Sequence, residues 1–248
     1  MRRRPNRPYT LSKASRVPAA PFRCRLVVMV KVPEMGRVKT RLARQVGAVE
    51  AVRFYRQTVR SILARVGRDA RWQTSLSIAP DLGLAHPFLP SSLRRKRQGR
   101  GDLGQRMQHV MDEADPGPVV IIGTDIPAIR PSHIARAFAL LRRGDAVFGP
   151  APDGGYWLVG LKRCPRVRKI FSNVQWSSTT TLEDTIANLE GAAVAKADVL
   201  SDVDSADDLG SCYNWFGRRV LPVAIGRQSV CHASPLLVEA CLRKDNRL

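Results

Sequence analysis

The 248-residue chain carries 41 Lys and Arg against 21 Asp and Glu, a net charge of +20, and 44% of its residues are apolar. That length and apolar fraction suit one α/β domain with a buried core, and no segment approaches the roughly 20 apolar residues of a membrane span. The excess of cations admits nucleic acid, an anionic membrane or a phosphate-bearing small molecule as partner and does not choose among them.

Much of that excess is local. The first acidic residue is Glu34, and Arg2, Arg3, Arg4, Arg7, Lys13, Arg16, Arg23, Arg25 and Lys31 precede it. Residues 1–23 read as a disordered basic tail with little to bury. Its prolines (Pro5, Pro8, Pro18, Pro21) work against an amphipathic transit helix, and the apolar run Leu26 to Val30 is too short for a secretory signal. The five cysteines (Cys24, Cys164, Cys212, Cys231, Cys241) are odd in number and widely spaced, which fits a reducing, cytoplasmic setting rather than a disulfide framework or a zinc ribbon.

From Leu26 onward, short apolar runs alternate with helical patterns. The first strand, Leu26 to Val30, runs into Lys31-Val32-Pro33-Glu34-Met35-Gly36-Arg37-Val38-Lys39-Thr40-Arg41-Leu42. A strand ending in a loop with a permissive glycine and several cations, followed by a helix, suits a diphosphate, which needs exposed N–H groups and charge compensation. Lys31, Gly36, Arg37, Lys39 and Arg41 are the candidates; read alone, the same residues also fit a basic surface loop. Neither a Walker A spacing nor Gly-x-Gly-x-x-Gly occurs here. Helical spacing of Val52, Tyr55, Val59, Ile62, Leu63 and Val66 then predicts a sheet-covering helix, and Leu76 to Ala79 a second strand.

Arg94 to Arg97 reads as a solvated charge run. In Gln98-Gly99-Arg100-Gly101-Asp102-Leu103-Gly104, Gly99, Gly101 and Asp102 suit close approach to a base or ribose, although Asp102 alternatively caps the helix that follows Leu103. Val119 to Ile122 is a buried strand ending in Gly123-Thr124-Asp125-Ile126-Pro127. A carboxylate at that edge can hold Mg²⁺ or Mn²⁺ through hard oxygen, whereas Asp before Pro is by itself commoner as a turn residue. After Pro131-Ser132, Ile134, Ala137, Phe138 and Leu141 predict another helix.

Strands at Ala146 to Phe148 and Tyr156 to Gly160 flank Gly149-Pro150-Ala151-Pro152-Asp153-Gly154-Gly155, either a tight turn or a loop presenting Asp153 to an acceptor. Thr180 and Glu183 have capping-box spacing, and Val194 to Val199 reads as the last strand. Asp202-Val203-Asp204 follows, either an acidic turn or a second source of metal carboxylates. Beyond Leu209 the alternation fades into an extension, residues 210–248, with an aromatic cluster (Tyr213, Trp215, Phe216) and a possible helix at 235–242. The whole pattern predicts a doubly wound, mostly parallel α/β domain over 24–209, with ligands beyond the carboxyl ends of its strands.

Taken in order, these blocks resemble a bacterial family of glycosyltransferase-like proteins, the radical-SAM/selenodomain-associated transferases, over Leu26 to Leu209. The carriers are Lys31 with Gly36 to Leu42, Gln98-Gly99 with Gly101 to Gly104 and Arg106-Met107, Gly123 to Pro127, Gly149 to Tyr156, Val174 with Trp176-Ser177, and Asp202-Val203-Asp204. The resemblance implies a GT-A-like fold of the nucleotide-diphospho-sugar transferase superfamily, shared in outline with 2-phospho-lactate guanylyltransferase and the molybdopterin-cofactor nucleotidyltransferases. It implies that Asp125 and Asp204 bind a divalent metal, Mg²⁺ or Mn²⁺, and that the first basic loop takes the phosphates. Asp153, Gly154, Gly155 and Trp176 are read as the acceptor side. Met35, Arg100 and Ser178 depart from the family pattern.

The expected activity is metal-dependent transfer from a nucleotide-diphospho-sugar to an acceptor that the sequence does not name. The alternative on the same residues is a guanylyltransferase-like nucleotidyl transfer from a nucleoside triphosphate, releasing pyrophosphate. A nucleic-acid-binding protein is disfavoured, because no aromatic-basic RNA motif or DNA-reading helix is present.

Overall fold

A computed structural model describes residues 23–163 and 167–211. The tail, the aromatic cluster and helix of the extension, and Cys164, Cys212, Cys231 and Cys241 lie outside the described residues.

Strand β1 (Arg25–Lys31) is the spine of the fold, with Leu26, Val28 and Val30 wholly buried. It pairs in parallel with β2 (Gln73–Ala79) on one side and with β4 (Val119–Ile122) on the other. A short β3 (Arg94–Arg97) extends the sheet beyond β2. On the far side, β6 (Tyr156–Leu161) runs antiparallel between β4 and β5 (Ala146–Pro150), and β7 (Val194–Lys196) closes the edge in parallel with β5. The order is β3-β2-β1-β4-β6-β5-β7, a mostly parallel sheet. From β1 the chain winds outward to β2 and β3, then returns to β1's other side as β4. That reversal opens a crevice past the carboxyl ends of β1 and β4.

Alternation of side chains along the strands feeds two layers. Val28, Val30, Leu76, Ile78, Val120 and Ile122 pack under α2 (Ala48–Val66) and α4 (Pro131–Arg143). Val27, Val119, Ile121, Phe148 and Val159 face α3 (Leu103–Glu113) and α5 (Thr181–Ala187). Separately, Leu42 of α1 (Thr40–Val46) joins Ala51, Phe54, Val203 and Leu209 in a small cluster that draws the segment after β7 against the first loop. No helix of the described residues is long and apolar enough to cross a membrane.

Three local expectations are corrected or refined. Arg94 to Arg97, with Arg94 and Arg97 exposed and Arg95 and Lys96 half-buried, is also the edge strand β3, where one open side tolerates charge. The guanidinium of Arg95 donates to the carbonyls of Leu84 and Leu89 at 2.9 and 2.6 Å. The Thr180 and Glu183 capping box does not form, because Thr180 already has helical backbone and its hydroxyl donates to Asp184 instead. The reciprocal box belongs to α3, where the Gln105 N–H donates to Asp102 at 2.8 Å and the Asp102 N–H to Gln105 at 3.0 Å. Finally, β7 stops at Lys196, three residues before the expected end. Beyond it the chain crosses back, Ala197 donating to Phe148, Leu200 to Pro150 and Val203 to Asp125.

Candidate active site

Lys39 stands at the start of α1 with φ 48° and ψ 46°, the left-handed region that costs a non-glycine residue about 1–2 kcal/mol. That backbone turns the side chain inward, and it is only 3% exposed. Its ammonium lies 2.7 Å from Asp125 Oδ1 and 2.8 Å from Asp204 Oδ1. Asp125 is delivered by the end of β4. Asp204 is delivered from the opposite direction, held by the Val203 N–H bond to the Asp125 carbonyl and by Val203 buried beside Leu42 and Phe54. The Asp208 carboxylate steadies the turn by accepting from the N–H groups of Asp204 and Ser205.

Burial works against the Lys39 ammonium, but Asp125 and Asp204 outweigh it and raise its pKa above the ordinary lysine value. The arrangement brings two hard-oxygen carboxylates to one cation position. Mg²⁺ commonly takes one or two carboxylates and completes its shell with phosphate oxygens and water. The two carboxylates suit a divalent ion that shares its coordination with a substrate once the Lys39 ammonium, which fills the position between them, moves aside. Among the described residues no set of three or more His, Cys, Asp or Glu side chains gathers to hold a metal without such help.

Tyr55 had only a core place in the sequence pattern, yet it ties this site together. Its buried hydroxyl donates to the Lys31 carbonyl and accepts from the Lys31 N–H, both at 3.0 Å, and lies 3.2 Å from Thr124 Oγ1. Burial drives its pKa far above the usual tyrosine value, so it acts as a neutral clamp between the ends of β1 and β4. Tyr55→Phe is expected to cost about 1–3 kcal/mol, because buried polar partners lose their bond. A lower urea midpoint with an unchanged slope would show it.

A cleft of about 450 Å³ opens in front of these groups, lined among others by Lys31, Lys39, Asp125, Asp153, Gly155 and Trp176. One Asp153 oxygen accepts from the Gly155 N–H at 2.9 Å, so the carboxylate also shapes its own turn. Gly154 has φ +86°, and a methyl group there would overlap the Thr179 carbonyl. Trp176 packs closely over Gly104, where a side chain would meet its ring. Asp202 also lines this cleft; its carboxyl is raised by burial and by Asp204, with Lys39 opposing.

A second, outer cleft of about 640 Å³ shares Lys31 and Arg106 with the first and adds Arg37, Gly99, Arg100 and Gly101. Positive φ at Gly99 (+83°) and Gly101 (+101°) shapes its wall. The predicted phosphate residues are thus divided: Lys39 faces the inner cleft, Arg37, Gly99 and Gly101 the outer, and Lys31 both. Arg37 is paired with Glu34 at 3.1 Å. Asp102 lines neither cleft, and its carboxylate is engaged as the α3 cap. Gly36 supplies a turn with φ +75°, and Arg41 projects outward, 4.0 Å from Asp204. Arg106, absent from the expected binding set, bridges the clefts by donating to the Gly101 carbonyl at 2.9 Å and to Gln98 at 3.2 Å.

Residues 62–178 match the profile of a family described as uncharacterized proteins conserved in bacteria (DUF2064). No curated protein matches the chain significantly. A crystal structure of a candidate nucleotide-diphospho-sugar transferase from Desulfovibrio desulfuricans G20 superimposes with a TM-score of 0.71 at 28% identity, covering 89% of this chain and 97% of that one. A cytidylyltransferase from Leptospira borgpetersenii serovar Hardjo-bovis gives 0.53 at 12% identity, over 92% and 98% of the two chains. The 4-diphosphocytidyl-2C-methyl-D-erythritol synthase of Anaerococcus prevotii gives 0.51 at 11%, over 79% and 99%. The last two speak for the fold alone. The fold is GT-A-like, that of the nucleotide-diphospho-sugar transferase superfamily.

Proposed function

We propose that the protein is a divalent-cation-dependent, cytoplasmic transferase that takes a sugar from a nucleotide-diphospho-sugar and passes it to an acceptor on the Asp153 side of the cleft. The observation that carries this reading is the convergence of Asp125 and Asp204 on one cation position, inside the crevice where a fold of this kind binds its ligand. The likeness to the Desulfovibrio protein supports the donor class. Kinship with the radical-SAM/selenodomain-associated transferases belongs to the same proposal.

In this reading Gly99 and Gly101 let the backbone approach the nucleoside, while Lys31, Arg37 and Arg106 surround the phosphates with positive charge. When bound, Mg²⁺ or Mn²⁺ held by Asp125 and Asp204 supplies Lewis-acid stabilisation of the diphosphate. The Lys39 ammonium, which fills the position between the two carboxylates, gives way to the ion and turns its charge toward the developing anion. Asp153 orients the acceptor hydroxyl and takes its proton as the bond between the sugar and the diphosphate breaks. Gly154 and Gly155 keep the approach open, and Trp176 forms its wall.

Nucleotidyl transfer is the second reading, favoured by the fold shared with cytidylyltransferases; attack would fall on the α-phosphate of a nucleoside triphosphate. Incubation with Mn²⁺ and a panel of nucleotide sugars and triphosphates separates the two. Release of a nucleoside diphosphate from a nucleotide sugar is the expected result, and pyrophosphate release from a triphosphate would overturn glycosyl transfer. Asp125→Ala is expected to weaken Mn²⁺-dependent nucleotide binding by at least about 10- to 100-fold, the loss seen even when only a supporting partner of a metal ligand is removed. Unchanged Mn²⁺-dependent binding by calorimetry would remove Asp125 from the metal site.

A further inference from the structure

A separate surface, outside both clefts, runs along the exposed side of α2. Arg53, Arg56 and Arg60 stand at helical spacing, about 10 Å from first to last at 1.5 Å per residue, and form one wall of a shallow groove of about 630 Å³. Gln57 lies within that wall, and Pro33, Met35, Val49 and Val52 line the helix N-terminal end. Met35 is 68% and Val49 66% exposed, apolar side chains left facing water beside a row of cations.

Arg56 and Arg60 are held in place without acidic neutralisation among the described residues. Arg56 and Arg60 place their guanidiniums 5.2 and 5.3 Å from the centre of the Phe88 ring, and neither has an acidic partner among the described residues. Among the described residues Arg53 pairs with Glu50 alone, at 3.5 Å. Charge also limits what can cover the groove. Residues 1–22 contain six cations and no acid, and residues 212–248 six cations and two acids, so the terminal segments repel this wall as a second copy of it would.

We propose that this face docks on an anionic lipid bilayer, with Arg53, Arg56 and Arg60 engaging lipid phosphates and Met35 and Val49 entering the headgroup layer. A row of cations set beside exposed aliphatic side chains is the chemistry of interfacial binding, in which charge attraction and shallow apolar burial reinforce each other. A single-stranded nucleic acid would ask for open aromatic faces on which bases stack. The ring bordering this groove, Phe88, is already occupied by two guanidiniums. The basic residues of 1–22 add attraction to the same kind of surface. The proposal concerns binding only and does not depend on the reaction catalysed.

The test is co-sedimentation of the full chain with vesicles of phosphatidylglycerol and phosphatidylcholine, against phosphatidylcholine alone, at about 0.15 M salt, where exposed charges more than a Debye length apart are screened. Binding to the anionic vesicles alone is expected, falling at least about tenfold in R53E/R56E/R60E. Met35→Ser/Val49→Ser is expected to lose severalfold in vesicle affinity while leaving binding of a short single-stranded RNA unchanged, and it does not rely on the Phe88 contacts. Vesicle binding retained by both variants would overturn the proposal by assigning attraction to the tail. Equal losses of vesicle and RNA binding in the Ser variant would overturn it as well. Nucleotide binding measured on the same samples confirms that the cleft is intact.

Discussion

Replacing both Asp125 and Asp204 by asparagine is expected to destabilise the folded protein by about 3 kcal/mol, even though both carboxylates reach water. The reason lies in the asymmetry of the ion group. Asp125 and Asp204 have side chains 55% and 44% exposed, whereas the Lys39 side chain is 3% exposed. Water can solvate the carboxylates when the cation goes, but cannot reach the ammonium when the carboxylates go. Stranding one buried charge typically costs 3–5 kcal/mol, and the amide oxygens still accept from the ammonium, which places the estimate at about the lower end. Lys39→Met should therefore be much milder, about 1 kcal/mol or less.

The pH dependence supplies the sign. In the native protein the Lys39 pKa is raised above 10.5, so its stabilisation is complete below that value and disappears as pH climbs through the folded pKa. In the double asparagine variant both raising charges are gone and burial alone remains, which puts the folded pKa below the unfolded one. Its stability should then rise as pH increases toward about 10, opposite to the native protein. Urea midpoints across alkaline pH measure this directly, and parallel curves for the two proteins would refute the buried ion group. In the metal reading, Lys39→Met should also tighten Mn²⁺ binding without nucleotide, since Lys39 occupies the position the two carboxylates share.

How much of this was legible depended on how local the cause was. The runs at Leu26 to Val30 and Val119 to Ile122 declared buried parallel strands, and the strand-end position of Asp125 followed from them. The mostly parallel α/β fold was readable for the same reason. Arg94 to Arg97 hid a strand because its pairing to β2 is a property of the neighbour, not of its own composition. Lys39 was assigned to a diphosphate from spacing, which carries no information about a left-handed backbone angle or the inward turn it imposes. Asp204 reaches Asp125 because Val203 is anchored beside Leu42 and Phe54, a contact across most of the chain. Tyr55 did leave a trace, a polar tip within an otherwise apolar helical stripe. Asp102 and Gln105 also stood at capping spacing, and there the structure shows the cap.

Gly154→Ala should disturb the Asp153 side of the cleft as strongly as the asparagine pair disturbs the cation side. Two costs coincide at this residue. A left-handed backbone at φ +86° costs a residue with a Cβ about 1–2 kcal/mol, and the new methyl would overlap the Thr179 carbonyl, adding about 1–3 kcal/mol of overpacking. The loop cannot simply withdraw, because the Gly154 carbonyl accepts from the Leu182 N–H at 3.0 Å and the Asp153 carboxylate from the Gly155 N–H at 2.9 Å. Relief must therefore move the start of α5 and Asp153 together. The expected loss is about 3 kcal/mol, or a fall of about 6–12 °C in melting temperature for a domain of this size. In the transferase reading, nucleotide affinity, assigned to groups across the cleft, should change by less than about twofold, while transfer to the acceptor is lost. Gly191→Ala is the control: φ is +69°, but no atom lies within 4 Å of the new methyl. It should cost only the backbone share, about 1–2 kcal/mol, and leave transfer intact. Equal melting losses in the two variants would mean that backbone strain alone constrains Gly154, and that the Thr179 contact does not hold Asp153 in place.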